Sequence, residues 1–193
     1  MNSMAVLPKK FYEREPEAVA KELLSNRIVR SLGDEVLEGI IVETEAYYGL
    51  EDPASRAYHG QKVYNKLMWS DPGRVFIYNV HNNWMFNIIA HEFDSIGAVL
   101  IRAIDPKRGI EVMRKNRKVK TIFELTNGPG KLTKALKIDK GLNGIFVTSN
   151  KSEVFVADNE MRIEIESSHR IGVKKDLERK LRFFMKGNRF VSK

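Results

Sequence analysis

The sequence predicts a single domain that combines helices with β-strands. At 193 residues the chain has the length of one domain, and it shows no internal repeat, low-complexity linker or second domain. Several segments alternate apolar and polar residues as strands do, whereas one early segment repeats its apolar residues at helical spacing. We therefore treat residues 1–193 as one folding unit.

The first predicted helix lies within residues 9–26 and includes Pro16, a residue favoured in the first helical turn. Its later apolar residues fall on one face, which we expect to pack on the core. Residues 28–32 have the composition of a strand, and Gly33-Asp34 is a turn into the next strand.

Residues 38–48 (EGIIVETEAYY) form the most informative predicted strand, because β-branched and aromatic residues dominate it. Strict alternation would put two sets of side chains on opposite faces: Ile40, Val42 and Ala46 on one, and Ile41, Glu43, Glu45 and Tyr47 on the other. A buried carboxylate without a partner is costly, so Glu45 beside Tyr47 is a candidate base next to an aromatic surface. The alternative is a half-exposed edge strand with solvated glutamates.

The loop at residues 49–60 follows this strand and carries Arg56 and His59. Loops at strand ends often hold functional residues, although both side chains could also be ordinary surface cations.

Two alternating segments after an Asp-Pro-Gly turn predict a β-hairpin over residues 74–90. If Asn82-Asn83 is its two-residue loop, Tyr78 lies directly opposite Asn87. This pair could line a polar pocket, or the asparagine could simply satisfy a core tyrosine. The tip, which includes His81, would protrude as a polar finger.

Residues 97–104 (GAVLIRAI) form an apolar strand that Arg102 interrupts. A guanidinium group remains charged, so it needs a carboxylate, a phosphate or ordered water. Glu45 and Glu43 are its natural partners, either in an active site or in a buried ion pair without chemistry.

A basic stretch and a glycine-rich loop follow. Residues 106–120 carry many Lys and Arg around a short predicted helix. Asn127-Gly128-Pro129-Gly130 leads into a predicted helix at 131–137, which makes Gly130 and Lys131 candidate phosphate-binding residues. The spacing is not that of a P-loop, because Leu125 stands where a glycine is required. Five further segments are predicted strands: 144–148, 154–157, 161–165, 170–173 and 181–185.

The formal net charge of +8 favours an anionic partner, with nucleic acid first and an acidic membrane surface second. Charge for solubility alone is the remaining alternative. The absence of cysteine excludes disulfides and suits a reducing compartment, and no segment approaches the length of a membrane helix. The four histidines show no zinc-binding spacing, so no metal is expected.

Several motifs occur in order along the chain, and together they resemble the alkyladenine (3-methyladenine) DNA glycosylase family over residues 11–192. The motifs are 41–47 (IVETEAY), 51–55 (EDPAS), 71–73 (DPG), Asn87 with Ile88, 100–106 (LIRAIDP), 127–132 (NGPGKL), 170–173 (RIGV), 181–183 and the GNRFVS ending. The resemblance implies an α+β fold, a single compact domain with a curved antiparallel sheet, surrounding helices and a protruding β-hairpin. It also implies an enzyme that flips a damaged purine out of duplex DNA and cuts its N-glycosidic bond.

The resemblance assigns roles by position. Glu45 matches the general base, and Arg102 matches the partner that holds this carboxylate and its water. Tyr47 and Tyr78 match aromatic walls of the base pocket, and Asn87 matches the residue that obstructs the exocyclic amino group of guanine. We expect no cofactor and no membrane association, and a monomer that acts on double-stranded DNA in the cytoplasm, associated with the nucleoid.

Two positions depart from the family pattern. Arg56 stands where the family usually has a histidine, and an arginine side chain offers only donors. Either Arg56 or His59 could therefore reach the base. The hairpin tip is one residue shorter than usual, so His81 is the nearest equivalent of the DNA-intercalating residue, with Asn82 as the alternative.

The implied chemistry needs few groups. Glycosidic cleavage passes through an oxocarbenium-like sugar, and one carboxylate can both activate water and stabilise this cation. Tyr47 and Tyr78 would favour a cationic base by about 0.5–2 kcal/mol per contact. The sequence offers no evident lysine nucleophile, so we expect water attack without strand cleavage.

Two other functions remain open. A non-catalytic nucleic-acid-binding domain would explain the charge but not Glu45 and Arg102 inside apolar strands. A metal-dependent nuclease could use Glu43 and Glu45, although no further acidic cluster lies near that strand.

Overall fold

Eight antiparallel strands form a curled sheet with four α-helices around it in the computed structural model, which describes residues 5–192. The strands are β1 Arg27–Leu32, β2 Glu35–Tyr47, β3 Val75–Val80, β4 Asn83–Ile89, β5 Ala98–Arg108, β6 Val154–Ala157, β7 Ile165–Ser168 and β8 Arg182–Met185. The helices are α1 Lys9–Tyr12, α2 Pro16–Leu23, α3 Ile110–Arg117 and α4 Pro129–Ala135. The sequence-based prediction of the fold class is confirmed.

The long strand β2 organises the sheet, whose order is β3-β4-β5-β2-β1-β6. One edge of β2 pairs with β5, while the other pairs first with β1 and then, at residues 43–45, with β8. Every residue of β2 from Leu37 onward is buried. The alternative of a half-exposed edge strand is therefore wrong.

The predicted alternation of β2 fails near the middle of the strand, because the strand contains an irregularity there. The pairing register with β5 shifts between Ile41 and Glu43 and again before Thr44. Ala46 consequently packs in the main core with Ile41, whereas Val42, its predicted neighbour on the same face, lies in a smaller cluster with Phe190. A β-bulge adds one unpaired residue and so reverses which face the following side chains take.

The helix prediction near the start of the chain is confirmed, and Pro16 occupies the first turn of α2. Its buried face consists of aliphatic side chains that join the main core. On β2, the Thr44 hydroxyl donates to the carbonyl of Ala20 at 2.8 Å. The helix therefore covers the face of β2 opposite Glu45.

The hairpin register differs from the prediction. Tyr78 pairs with Met85, and Asn87 pairs with Phe76. The two loop residues are His81 and Asn82, which both have positive φ values, of 47° and 60°.

Side chains on both strands support this loop. Asn79 Oδ1 accepts from the Asn82 amide at 3.1 Å, and Asn83 Nδ2 donates to the His81 carbonyl at 2.8 Å. Asn83 thus begins β4 instead of forming the turn.

The C-terminal predictions are partly confirmed. Strands β6 and β8 lie where the sequence predicts them, whereas β7 begins at Ile165, where the prediction ends. Residues 144–148 contain only an isolated bridge at Phe146, and residues 170–173 form an irregular segment with a bend at 171–172. The helix α4 begins two residues earlier than predicted, because Pro129 fits its first turn.

Candidate active site

A cavity of about 1000 Å³ opens beside the ends of β2 and β5. Its walls come from the hairpin, from the loop after β2, from the loop before α4 and from residues 171–175. Aromatic and basic side chains line it together. A cavity of this size can enclose a ligand as large as a single nucleobase.

Glu45 lies fully buried beneath the wall of this cavity. Its Oε1 accepts from the Ile171 amide at 2.8 Å and lies 3.2 Å from Arg102 Nη1. Its Oε2 accepts from the Tyr47 hydroxyl at 2.7 Å. Burial raises the pKa of Glu45 above its ordinary value, and the charge of Arg102 and the two hydrogen bonds only partly oppose this rise.

Glu43 is equally buried, but more hydrogen bonds and guanidinium groups stabilise its negative charge. It accepts from Arg102 Nε at 2.8 Å, from Arg182 Nε at 2.7 Å, and from the amide and hydroxyl of Ser192 at 2.7 Å each. Burial alone would raise the pKa of Glu43, but Arg102 and the bonds from Ser192 and Arg182 lower it. The two carboxylates therefore share Arg102 and differ in basicity, as an acid–base site requires.

Tyr47 and Tyr78 form aromatic walls of the cavity, and each already contacts a guanidinium group. The Cζ atom of Arg170 lies 4.5 Å from the ring centroid of Tyr47. The Cζ atom of Arg56 lies at the same distance, 4.5 Å, from the ring centroid of Tyr78. Burial raises the pKa of both hydroxyls, so both tyrosines remain neutral donors.

Arg170 is a residue that the sequence analysis missed. Its side chain is fully buried and donates to both carboxylate oxygens of Asp52, at 2.6 and 2.7 Å, to Asp176 and to the Ala46 carbonyl. Burial would raise the pKa of Asp52, but the bonds from Arg170 and from two backbone amides lower it. This clamp fixes the next residue, Ile171, whose amide donates to Glu45.

A signal for this clamp was present in the sequence. Arg170 begins the short segment 170–173 (RIGV), which was predicted as a strand, and Asp52 follows the central strand. The same argument about buried charge that singled out Arg102 also applies to Arg170.

The remaining candidate residues take different positions. Arg56, His59 and His81 line the cavity, and all three are exposed. Asn87 is buried outside the lining residues, and its Nδ2 donates to the carbonyls of Phe76 and Met85 at 3.0 and 3.1 Å.

The loop before α4 packs directly against the hairpin. Gly130 and Lys131 line the cavity, and Lys131 Nζ donates to Asn127 Oδ1 at 2.9 Å. A Cβ atom at position 130 would lie 2.7 Å from Asn83 Oδ1, so only glycine allows this approach.

Two further features concern residues 5–192. No group of three or more His, Asp or Glu side chains in this range could hold a metal ion. No helix in the same range is long and apolar enough to cross a bilayer.

Known proteins are similar to this chain over nearly its whole length. The sequence model of the family described as "Methylpurine-DNA glycosylase (MPG)" matches residues 10–189. A protein of Clostridium perfringens (strain 13 / Type A) is 41% identical over 203 residues, covering 97% of this chain and 98% of its own length. Proteins of Aeropyrum pernix and Carboxydothermus hydrogenoformans are each 38% identical over 191 residues and cover 97% of this chain, with 93% and 99% of their own lengths. All three carry the name "Putative 3-methyladenine DNA glycosylase".

The family match spans nearly the whole described chain and includes the segments that supply Glu45, Arg102 and Arg170. This chain belongs to the methylpurine-DNA glycosylase family.

Proposed function

We propose that the protein is a monofunctional DNA glycosylase that flips alkylated or deaminated purines out of duplex DNA and hydrolyses their N-glycosidic bond. It acts as a monomer on cytoplasmic, nucleoid-associated DNA, as part of base excision repair. The observation that carries the proposal is the arrangement of Glu45, a buried carboxylate between Arg102, Ile171 and Tyr47 beneath a cavity of nucleobase size.

Glu45 is suited to activate water. A carboxylate has about four acceptor positions. Glu43 accepts four hydrogen bonds. Glu45 accepts only two and forms one ion pair with Arg102, so Glu45 has an acceptor position left for a water molecule. The raised pKa makes Glu45 the stronger base, and the same negative charge stabilises the sugar cation as the bond breaks.

The base pocket and the DNA contacts follow from the cavity walls. The flipped purine stacks between Tyr47 and Tyr78, with Arg56 at its edge. Asn87 restricts guanine from its buried position behind the lining residues. Flipping costs a few kcal/mol, and His81 at the exposed hairpin tip compensates by filling the vacated stack. Gly130 and Lys131 contact a backbone phosphate beside the cavity.

The carboxylates argue against a metal-dependent nuclease. Glu43 and Glu45 each place one oxygen against Arg102, so a guanidinium group stands between them in place of a shared metal cation. A non-catalytic DNA-binding domain would have no use for this costly buried arrangement.

One experiment separates the three functions. Purified protein is incubated with methylated duplex DNA in EDTA, and free base and strand breaks are measured. We expect base release that is lost in Glu45→Gln and retained in Glu35→Gln, an exposed control at the other end of β2. Strand cutting that requires Mg²⁺ would support the nuclease, and binding without any product would support the binding domain.

A further inference from the structure

We infer that Arg56 makes this cavity select purines with a free O6–N7 acceptor edge, such as deaminated purines, over positively charged alkylated purines. This inference rests on the proposed function and names its preferred substrate class. It revises the sequence-based expectation that aromatic walls alone would favour a cationic base.

Most guanidinium groups near the cavity have carboxylate partners. Arg102 faces the carboxylates of Glu43 and Glu45, and Arg182 faces that of Glu43. Arg170 is likewise balanced by Asp52 and Asp176. These five ion pairs join three guanidinium groups to four carboxylates, so no unbalanced positive charge remains beneath the cavity wall.

Arg56 is different. Within residues 5–192 no carboxylate lies within ion-pair distance of Arg56, although its side chain lines the cavity. Lys131, Lys174 and Lys175 line the same cavity and add further positive charge. A cationic base that enters therefore meets a net positive potential.

The aromatic walls of the cavity already have cations against their ring faces. A ring attracts a cation through the negative charge on its face. The faces of Tyr78 and Tyr47 already contact the guanidinium groups of Arg56 and Arg170, each at 4.5 Å. The attraction available to a second cation is therefore reduced by repulsion from the first.

The geometry of the Arg56 guanidinium group suits one edge of a purine. It presents only donors, in a fork that matches two neighbouring acceptors such as the O6 and N7 atoms of a purine. Hypoxanthine and xanthine keep both acceptors. An N7-alkylated guanine has lost the N7 acceptor and carries a positive charge, so Arg56 disfavours it on both counts.

Arg56 is held in place by its backbone, while its side chain stays exposed. The buried Asn65 donates from Nδ2 to the Arg56 carbonyl at 2.7 Å, and the next residue, Ala57, packs against Phe76 and Met68. The guanidinium is thus presented at the cavity by a fixed loop. Substitutions of the exposed side chain should leave the fold intact.

The test compares two substrates in one protein. Duplexes with a single hypoxanthine or a single 7-methylguanine are cleaved under single-turnover conditions by the wild type and by Arg56→Gln. We expect Arg56→Gln to lower the hypoxanthine-to-methylguanine rate ratio by about tenfold, because it removes a charge-assisted hydrogen bond and a repulsion together. The two bases differ in how readily they leave, but this difference is the same in both proteins. It therefore cancels when the rate ratio of the variant is compared with that of the wild type.

Two further variants sharpen the comparison. Arg56→Lys keeps the charge without the fork, so its ratio should lie between those of the wild type and Arg56→Gln. Arg189→Gln is the matched control, because Arg189 is another exposed arginine stacked on a ring, at 3.5 Å from the Phe123 centroid, but outside the cavity. A ratio that is unchanged or raised in Arg56→Gln, or lowered equally in Arg189→Gln, would overturn the inference.

A binding measurement keeps the inference separate from the proposed function. In a Glu45→Gln background the affinities for the two duplexes are measured with and without Arg56→Gln, and the hypoxanthine preference should again fall. If Glu45→Gln still releases base, the proposed role of Glu45 fails while the affinity ratio still tests Arg56. An unchanged affinity ratio would refute the role of Arg56 alone.

Discussion

Replacement of Glu43 by glutamine removes one charge from the buried cluster behind the active site, and its cost can be worked out from the contacts. Glu43 is fully buried and accepts four hydrogen bonds, two of them from the guanidinium groups of Arg102 and Arg182. Glutamine has one acceptor oxygen and an amide that would face these donors. Loss of one partner from a buried ion pair costs about 3–5 kcal/mol. A domain of this size loses about 2–4 °C of melting temperature per kcal/mol, so we expect Tm to fall by about 6–20 °C.

The pH dependence of this effect follows from the lowered pKa of Glu43. A carboxyl group whose pKa is lower when folded stabilises the protein fully above its unfolded pKa, and loses this contribution as the pH falls through the folded value. The difference in stability between wild type and Glu43→Gln should therefore be largest near neutral pH. It should shrink as the solution becomes more acidic than the ordinary pKa of 4.5.

Thermal and urea unfolding at pH 7 and at acid pH would measure both effects. Glu35→Gln serves as the control, since Glu35 is exposed on the same strand. A fall in Tm no greater than that of the control would refute the reasoning. So would a stability difference that grows, instead of shrinking, on acidification.

Two further predictions concern the base pocket. His81→Ala should weaken base excision from duplex DNA more than from single-stranded DNA, because only the duplex leaves a vacated stack to fill; equal losses would remove the intercalating role from His81. Asn87→Ala should widen acceptance toward guanine lesions, and it should cost about 1–3 kcal/mol of stability because the carbonyls of Phe76 and Met85 lose their donor. An unchanged guanine-to-adenine ratio, measured with paired lesions in one duplex context, would argue against a gatekeeping role for Asn87.

Local patterns were sufficient to predict the strands and to single out the buried charges. The strand that carries Glu45 was predictable because β-branched and aromatic residues dominate it. The contact of Arg102 with both carboxylates was predictable because a guanidinium in an apolar strand must find a partner. These predictions use only sequence neighbours and the cost of burying charge.

The hairpin register was not predictable by the same means. His81, Asn82 and Asn83 can all be accommodated in a two-residue turn, so turn preference alone permits either loop. The choice depends on side-chain bonds of Asn79 and Asn83, and on pairing of the second strand with β5. A displacement of one turn position changes the partner of Tyr78 from Asn87 to Met85.

The clamp between Arg170 and Asp52 lies beyond any local pattern, because its residues are 118 positions apart. Strand alternation suggested that residues 170–173 would form a core strand, whereas the buried guanidinium holds this segment in an irregular conformation with a bend at 171–172. Long-range ion pairs can override local preference when they satisfy a buried charge. The β-bulge near Glu43 is a similar case, since an alternating sequence gives no sign of an inserted residue.

The two carboxylates of β2 also depend on each other through Arg102. The negative charge of Glu43 holds Arg102 in place and, at the same time, is one of the causes that raise the pKa of Glu45. Removal of this charge in Glu43→Gln should therefore lower the pKa of Glu45. In a profile of base-release rate against pH, the acid limb, where the rate falls as Glu45 becomes protonated, should then move to lower pH. A variant that only loosened the fold would reduce the rate at every pH without moving this limb. A limb that stays in place, or moves to higher pH, would show that Glu43 does not set the basicity of Glu45.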